Sequence, residues 1–291
     1  MFKSVSEMAK KWGVSERTVR NYCASAKIEG AVLKGKTWFI PESTTKPQRQ
    51  KIVQRDLLAV LTAEKMAKLS GGIYHKVQIE LTYNSNHIEG STLTHEQTRY
   101  IFETNTLGKA DYVKIDDILE TANHFRCIDL IIDNAGKQLS ESFIKLLHFT
   151  LKTGTSDSRL DWFNVGEYKK LPNEVGGRET VAPAEVHRYV KNLLDEYNKI
   201  QNKSLEDLIE FHHAFEKIHP FQDGNGRIGR LILFKECLKH KIVPFIISDD
   251  LKYFYYRGLS EWEKERGYLT DTCLTAQDRF KKCLDYFEIK Y

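Results

Sequence analysis

"HPFQDGNGRIGR", residues 219–230, combines three glycines with two arginines, a histidine and an aspartate. Glycine is unfavourable inside helices and strands, so its density here predicts a turn. The segments on either side, "SLEDLIEFHHAFEKIH" and "RIGRLILFKECLKHKI", have apolar residues at helical spacing. The run therefore links two predicted helices, with His219 ending the first and Arg227 entering the second.

This turn is predicted to bind an anion. Successive backbone N–H groups at a helix N-terminus attract negative charge, and Gly224, Asn225 and Gly226 let a ligand approach that backbone closely. Arg227 and Arg230 are three residues apart, so they share one face of the second helix. Their guanidinium groups suit phosphate oxygens. The pattern indicates a phosphate ligand.

Two further residues of the run add chemistry to this anion site. Asp223 offers hard oxygen ligands of the kind that hold Mg²⁺ against phosphates. His219 can accept a proton near neutral pH. A zinc site is disfavoured, because no HExxH pattern is present and His212 and His213 diverge on a helix. A polyphosphate, a metal and a general base together predict attack on a phosphate.

The run matches HxFx(D/E)GNGRxxR, the motif of the Fic family, at every position. "GEYKKLPNEVGG", residues 166–177, resembles that family's flap hairpin, and His148 resembles a histidine common upstream of the motif. The resemblance covers most of 56–265. It implies an all-helical core with one β-hairpin. Most Fic proteins transfer AMP from ATP to a Ser, Thr or Tyr hydroxyl of a protein and release pyrophosphate.

The resemblance also implies a role for each residue of the motif. His219 would deprotonate the target hydroxyl, Asp223 would hold Mg²⁺, and Arg230 would clamp the γ-phosphate. The other ATP-binding positions of the motif are Gly224, Asn225, Gly226 and Arg227. Related kinases named for Doc carry a lysine where Gly226 stands here, so AMP transfer is favoured over phosphate transfer.

Two segments outside the motif are expected to contact substrates. In the family the flap aligns the target as an added strand, which is β-augmentation. The corresponding residues are Glu174, Val175, Gly176, Gly177 and Arg178. "YFYYRGLSEW", 253–262, resembles a segment that follows the active site in relatives, with Gly258 in place of alanine. We expect Tyr255 to contact the nucleotide, although tyrosines at helical spacing also pack in cores.

"SNHIEG", residues 85–90, has two interpretations. It is a plausible helix end with Gly90 at the position after the C-cap. It also resembles the family's inhibitory motif, (S/T)xxxE(G/N), with Ser85, Glu89 and Gly90 in register. That resemblance implies that Glu89 pairs with Arg230 and blocks the γ-phosphate subsite, because one guanidinium cannot serve a carboxylate and a phosphate in the same fork.

The first fifty residues differ in charge from the remainder. Residues 1–52 contain eleven Lys/Arg and four Asp/Glu, a net charge of +7, whereas the remainder contains 33 and 36, a net of −3. "SVSEMAKKWGVSERTVRNYC" predicts two helices around Gly13, with a capping box at Ser4 and Glu7 and an N-cap at Ser15. "AVLKGKTWFI" predicts a hairpin with a basic tip.

This front segment resembles the winged helix-turn-helix of the MerR and excisionase families over residues 1–45. Its second helix would then read a major groove, and its wing would touch the DNA backbone. The predicted DNA contacts are Arg17, Thr18, Arg20, Asn21, Lys34 and Lys36. The alternative is a small solvated helical cap with incidental lysines.

The predicted organisation is mainly α. It comprises a winged helix-turn-helix at 1–45, a linker at 46–55, a Fic domain at 56–265 with an inhibitory helix near 80–90, and a C-terminal helical extension at 266–291. The five cysteines form no CxxC pair, which is typical of free thiols in a reducing compartment. No apolar run approaches the ~18 residues of a membrane span. We therefore expect a cytoplasmic protein with no membrane partner.

The sequence thus predicts an autoinhibited protein AMPylator that uses ATP and Mg²⁺ and modifies a target protein and itself. DNA is the expected partner of the front domain, and homodimers are frequent among relatives. Two other functions stay open. One is a transcription regulator whose Fic body senses nucleotide, and the other is removal of AMP from a modified protein, with Glu89 orienting water.

Overall fold

A computed structural model describes residues 2–24, 27–35, 37–47, 56–108 and 112–291. The chain divides into two compact units, Met1–Val53 and Gln54–Tyr291. Each unit has its own apolar core.

The N-terminal unit packs two helices on a small antiparallel sheet. Its elements are β1 (Phe2–Ser4), α1 (Val5–Trp12), α2 (Glu16–Ala24), β2 (Val32–Lys34) and β3 (Thr37–Pro41). The side chain of Ser4 caps α1 in the predicted capping box, and Gly13 ends that helix in the left-handed region at φ 65°. Strand β3 is central and pairs with both β1 and β2. The helices and hairpin lie where the sequence predicts them, whereas β1 was not predicted.

The second unit is mainly helical, with one short hairpin among its described residues, which confirms the predicted fold class. Its helices are α3 (Leu57–Ala67), α4 (Ile73–Ile88), α5 (His95–Thr104), α6 (Ile115–Asp133), α7 (Glu141–Lys152), α8 (Val186–Lys199), α9 (Leu205–Ile218), α10 (Asn225–His240), α11 (Lys252–Glu261) and α12 (Gly267–Tyr286). The hairpin consists of β4 (Glu174–Val175) and β5 (Arg178–Glu179).

Helix α10 is the centre of this unit. Every residue from 225 to 238 is buried, and the helix packs against α4, α6, α7 and α9. A helix that is enclosed on all sides cannot shift without disturbing its neighbours. Because α9 ends at Ile218 and α10 begins at Asn225, the six residues between them are fixed from both ends.

Helix α12 belongs to the same core. Leu269, Cys273 and Phe280 are buried in one cluster with residues of α10. The helix starts at Gly267, earlier than the 275–288 predicted from periodicity, because its first turns pack closely against α11. A Cβ atom on Gly258 would lie 2.6 Å from Leu269 Cα, so alanine does not fit there.

None of the helices within the described ranges is both long enough and apolar enough to cross a bilayer. All five cysteines are free thiols, as the sequence predicts.

Candidate active site

The motif loop between α9 and α10 is closed by its own polar groups. His219 follows α9 in the left-handed region at φ 51° and donates its backbone N–H to Phe215 O at 3.0 Å. Gly224, at φ 82°, forms the N-cap of α10. The Asn225 side chain accepts from Phe221 N–H and donates to Phe221 O, both at 2.8 Å. The loop therefore has one fixed shape.

The start of α10 offers donors to an anion. Its first helical hydrogen bond runs from Ile228 N–H to Gly224 O at 3.0 Å. The N–H groups of Asn225, Gly226 and Arg227 therefore have no partner within the helix. The Asn225 side chain is committed to the loop, so this residue can offer only its backbone to a phosphate.

His148 supports the loop from below. Its ring stacks on the buried Phe221 ring with centroids 4.0 Å apart and an interplanar angle of 4°. Gly166 N–H donates to His148 Nδ1 at 2.9 Å, so Nε2 carries the proton and donates to Asp223 O at 3.2 Å. Burial lowers the pKa of His148 to about 3. Both ring nitrogens are used, which makes His148 a structural residue.

His219 is the titratable group best suited to accept a proton in the loop. Burial, and then the charge of Lys169, lowers the pKa of His219 to about 4. Its Nδ1 is buried without a hydrogen-bond partner. The imidazole is therefore neutral at pH 7, so one of its two ring nitrogens can accept a proton.

Four charged groups around Asp223 form a network, and three of them, Lys152, Glu120 and Asp157, were not found from the sequence. The buried Arg227 pairs with Glu120 and donates to Asp223 Oδ2 at 2.9 Å. The buried Lys152 pairs with Glu120 and donates to Asp157 Oδ2 at 2.9 Å and Asp223 Oδ2 at 2.7 Å. Although burial acts in the opposite sense, Arg227 and Lys152 hold the pKa of Asp223 below its usual range.

The donor set fits a metal that arrives with a nucleotide. The Asp223 side chain is 49% exposed, and both cations bond Oδ2, which leaves Oδ1 to the cleft. In the part of the chain that the structure describes, no group of three His, Cys, Asp or Glu side chains could hold a metal. Mg²⁺ commonly takes one or two carboxylates together with substrate phosphates. Asp223 meets that requirement.

Glu89 and Arg230, which the sequence predicts to pair, lie in contact, and Ser85 of the same motif also contacts Arg230. Arg230 is buried and donates from Nε to Ser85 Oγ at 3.0 Å and from Nη2 to Ser85 O at 2.9 Å. Nη2 also donates to Glu89 Oε1 at 2.7 Å. Glu89 caps the C-terminus of α4, and Gly90 follows at φ 94°, so the helix-end interpretation of this segment also holds.

Gly226 makes room for this contact. A Cβ atom at position 226 would overlap Glu89 Oε1 and lie 2.9 Å from Arg230 Nη1. The carboxylate of Glu89 therefore lies close to Gly226 in the first turn of α10.

Tyr255 lies behind Arg230. Its side chain is 1% exposed, its hydroxyl is 2.7 Å from His212 Nε2, and the Arg230 guanidinium lies 5.9 Å from the ring centroid. In this arrangement Tyr255 touches Arg230 and would reach a nucleotide only through it. Tyr256 is partly exposed and donates its hydroxyl to the carbonyl of Ile88, the residue before Glu89, at 3.2 Å.

The hairpin predicted as a flap stands beside this site. Glu174 pairs with Glu179 and Val175 with Arg178, and both glycines of the turn have positive φ, 58° and 73°. Such a turn matches the twist of a tight hairpin. Within the described residues β4 and β5 form a two-stranded sheet, so its outer edges are open to a further strand.

The predicted DNA contacts lie in the N-terminal unit. The exposed ones are Arg17, Arg20, Asn21 and Lys34. Thr18 is half-buried, and its hydroxyl lies 2.9 Å from Ser15 Oγ at the start of α2. Arg20 pairs with Glu16 at 2.6 Å. Lys36 lies outside the described residues.

Comparison with known proteins places this site in a family. Residues 138–236 match the sequence profile of the Fic/DOC family. "Protein adenylyltransferase Fic" from Drosophila grimshawi is 30% identical over 185 residues, which are 61% of this chain and 36% of that protein. The chain thus spans little more than a third of the length of this curated relative.

Solved structures share the fold. A Fic domain containing signaling protein from Bacteroides thetaiotaomicron VPI-5482 aligns with a TM-score of 0.63 at 24% identity, over 78% of this chain and 94% of that one. A Fic family protein from Desulfovibrio desulfuricans G20 aligns with a TM-score of 0.58 at 23% identity, over 79% and 73%. Residues 138–236 of this chain therefore match a Fic/DOC family domain, and the surrounding helical unit shares the fold of solved Fic structures.

Proposed function

We propose that this chain is an autoinhibited protein adenylyltransferase, which transfers AMP from ATP to a Ser, Thr or Tyr hydroxyl. The observation that carries the proposal is the contact between Glu89 and Arg230 at the first turn of α10. The start of α10 offers an anion site beside a neutral His219, an available oxygen of Asp223 and the Arg230 guanidinium, and this combination suits nucleotide transfer. The carboxylate of Glu89 occupies that guanidinium.

His219 acts as the general base in this proposal. Its Nδ1 is buried, so Nε2 takes the proton of the target hydroxyl. The hydroxyl oxygen then attacks the α-phosphorus of ATP, and the bond from that phosphorus to the oxygen bridging the α- and β-phosphates breaks. Pyrophosphate leaves with the electron pair, and the target retains AMP.

The phosphates are held by three parts of the site. The free N–H groups of the first turn of α10 bind the phosphate oxygens, and Arg230 binds the γ-phosphate once Glu89 leaves it. Mg²⁺ bound through Asp223 Oδ1 would supply positive charge to the phosphates. Arg227 keeps its pairs with Glu120 and Asp223, so its contribution is to orient Asp223 and add positive charge.

Glu89 acts as a brake by competition. A hydrogen bond between a guanidinium and a carboxylate is charge-assisted and contributes about 1.5–3 kcal/mol. The γ-phosphate needs the same donors. ATP can still enter, but without Arg230 its α-phosphate is misaligned for attack, and a misplacement of about 1 Å can reduce the rate ~100-fold.

The test is self-modification measured by intact mass after incubation with ATP and Mg²⁺. We expect Glu89→Gly to gain one or more AMP groups, wild type to gain few, and Glu89→Gly combined with His219→Ala to gain none. Glu96→Gly, which removes an exposed glutamate of α5, is the matched control and should behave as wild type. Equal gains in wild type and Glu89→Gly would disprove the brake.

If no variant gains AMP, the transferase proposal fails for this chain. Offering AMP-modified protein to the same variants then tests removal of AMP. Loss of AMP that requires both Glu89 and His219 would indicate that reaction instead.

We also propose that the N-terminal unit binds DNA through α2. The net charge of +7 over residues 1–52 and the exposed Arg17 and Asn21 support this. Fluorescence anisotropy with duplex DNA at several salt concentrations tests it. Arg17→Ala should weaken binding and reduce the salt slope by about 1, whereas Lys3→Ala on β1 should leave both nearly unchanged. Affinity that is absent at low salt would rule the proposal out.

A further inference from the structure

Lys169 is a buried lysine that lacks a carboxylate partner among the described residues. Lys169 is only 3% exposed. Burial lowers the pKa of Lys169 to about 8, and no nearby carboxylate offsets that effect. The two other buried lysines among the described residues of this unit, Lys152 and Lys235, each pair with a glutamate. Buried charges are costly and are almost always paired, so the location of Lys169 calls for an explanation.

The ammonium group holds both ends of the hairpin. Lys169 Nζ donates to Asn173 Oδ1 at 2.7 Å and to Thr180 Oγ1 at 2.5 Å. Asn173 immediately precedes β4, and Thr180 immediately follows β5. Thr180 N–H also donates to Asn173 O at 3.3 Å. The base of the hairpin is therefore closed around one positive charge.

The same residues are attached to the loop that carries His219. Lys169 N–H donates to Pro220 O at 3.0 Å, and Asn173 Nδ2 donates to Phe221 O at 3.0 Å. These are the two carbonyl groups that directly follow His219. The charge of Lys169 also acts on the His219 imidazole. The hairpin and the histidine are thus connected through Lys169 and Asn173.

We propose that Lys169 is a positioning residue that fixes the hairpin relative to His219, so that a strand added to the hairpin presents its hydroxyl to the imidazole. The inference rests on the proposed transferase function and adds to it the residue that sets the acceptor's position. A strand added to β4 or β5 takes its position from the hairpin backbone, and the rate depends on that position to within about 1 Å. ATP binding depends on α10 and is independent of this connection.

The test uses the full chain with Glu89→Gly as parent. Lys169→Met keeps the length of the side chain and removes the charge, and Lys169→Arg restores it. Lys170→Met is the matched control, because Lys170 is the neighbouring lysine, is exposed, and bonds only the carbonyl of Asp161 at 3.2 Å. Thr180→Val removes one hydrogen-bond partner of the Lys169 ammonium, and it replaces Lys169→Met as the test variant if Lys169→Met folds poorly.

Hydrogen exchange of the amides of residues 173–180 is the first readout, and it does not depend on activity. We expect exchange to accelerate about tenfold or more in Lys169→Met and Thr180→Val, and to stay unchanged in Lys170→Met. Equal exchange in parent, Lys169→Met and Thr180→Val would overturn the proposal.

Transfer is the second readout, with the His219→Ala copy of this chain as acceptor. Lys169→Met should lower the transfer rate ~100-fold while the Kd for ATP, measured by calorimetry, changes by less than about twofold, and Lys169→Arg should recover part of the rate. A parallel loss of ATP affinity would show general damage and overturn the positioning role. If the parent itself transfers no AMP, the proposed function fails, whereas the exchange comparison still decides the role of Lys169.

Discussion

Glu89 and Arg230 are 141 residues apart in sequence, and Arg230 Nη2 donates to Glu89 Oε1 at 2.7 Å. The same guanidinium bonds Ser85 twice, once through the hydroxyl and once through the backbone carbonyl. One turn of α4 therefore engages one arginine of α10 at three points. The following expectations derive from this contact and from the charges around Asp223.

Ser85→Ala should release the proposed brake only in part. The substitution removes the hydroxyl that accepts from Arg230 Nε, but it leaves the carbonyl and Glu89 in place. We expect AMP transfer above wild type and well below Glu89→Gly, measured by intact mass over time. Ser91→Ala, just beyond α4, is the control. A rate at or below that of wild type would contradict a supporting role for the hydroxyl.

Gly226→Ala should affect stability in opposite directions in two backgrounds. In wild type the new Cβ overlaps Glu89 Oε1, so we expect the free energy of unfolding to fall by about 1–3 kcal/mol. Once Glu89 is replaced by glycine, the overlap with its carboxylate is gone, and the 2.9 Å contact with Arg230 Nη1 involves the end of a side chain that Glu89 no longer holds. Alanine is then a better helix former than glycine by up to about 1 kcal/mol. Urea unfolding of the four variants measures the coupling. Equal effects in both backgrounds would mean that Glu89 does not lie over Gly226.

Glu120→Gln should be strongly destabilising. The Glu120 side chain is 14% exposed and pairs with both Arg227 and Lys152. Removing one member of a buried ion network leaves the others uncompensated, which costs about 3–5 kcal/mol. Denaturant unfolding checks this, with Glu96→Gln as control because its pair with Arg99 is exposed and should contribute less than about 1 kcal/mol. Similar losses in both variants would argue against the network.

The acid limb of AMP transfer should lie near pH 4. Burial and then the Lys169 charge lower the pKa of His219 to about 4, so the imidazole stays neutral and able to accept a proton until the pH falls to that value. Below it the protonated ring cannot act as base, and the rate falls. Removing Glu89 takes away a carboxylate that raises the pKa of His219. The acid limb of the Glu89→Gly variant should therefore lie at a pH no higher than about 4. Rates measured with circular dichroism as a folding control test this, and a limb near 6.5 would contradict it.

The effect of His219 on the pH dependence of the free energy of unfolding also has a defined direction. Because the pKa of folded His219 lies below that of an unfolded histidine, the unfolded chain binds the proton first. His219 therefore contributes a loss of stability as the pH falls from about 6.5 to about 4. His219→Ala should reduce that loss in acid titrations followed by denaturant unfolding.

The sequence identified the parts of the site that lie close together along the chain. The loop from His219 to Arg230 is one continuous run between two periodic helices, and the resemblance to the inhibitory motif singled out Ser85 and Glu89 near one helix end. Glu120 and Lys152 could not be found this way. Each occupies a helix that also carries exposed charges. Their partners in the motif are distant along the chain, because Asp223 is 71 residues from Lys152 and Arg227 is 107 residues from Glu120.

The orientation of the Tyr255 side chain could not be predicted from the sequence either. Consecutive tyrosines at 255 and 256 occupy one helical turn, and periodicity does not tell which of them lies against Arg230 and which bonds Ile88 O. The answer depends on how α11 packs on α9 and α12, and the close approach at Gly258 determines this. The start of α12 at Gly267 has the same origin, because tertiary packing outweighs the low helix propensity of glycine.

Helix α4 carries Glu89, but its Val77, Leu81 and Ile88 are buried in the main core. Removing that helix from the domain would expose this apolar surface, which makes it a costly route of release. A change of side-chain rotamer at position 89 is far cheaper and takes place on a much shorter timescale than helix undocking. The two states would then interconvert rapidly in every molecule, and a regulator needs only to change their populations. Suppose that a binding partner disfavours the rotamer in which Glu89 contacts Arg230 by about 1.4 kcal/mol. The fraction of molecules with Arg230 released, if it is small, would then rise about tenfold, so AMP transfer would increase gradually with the amount of partner.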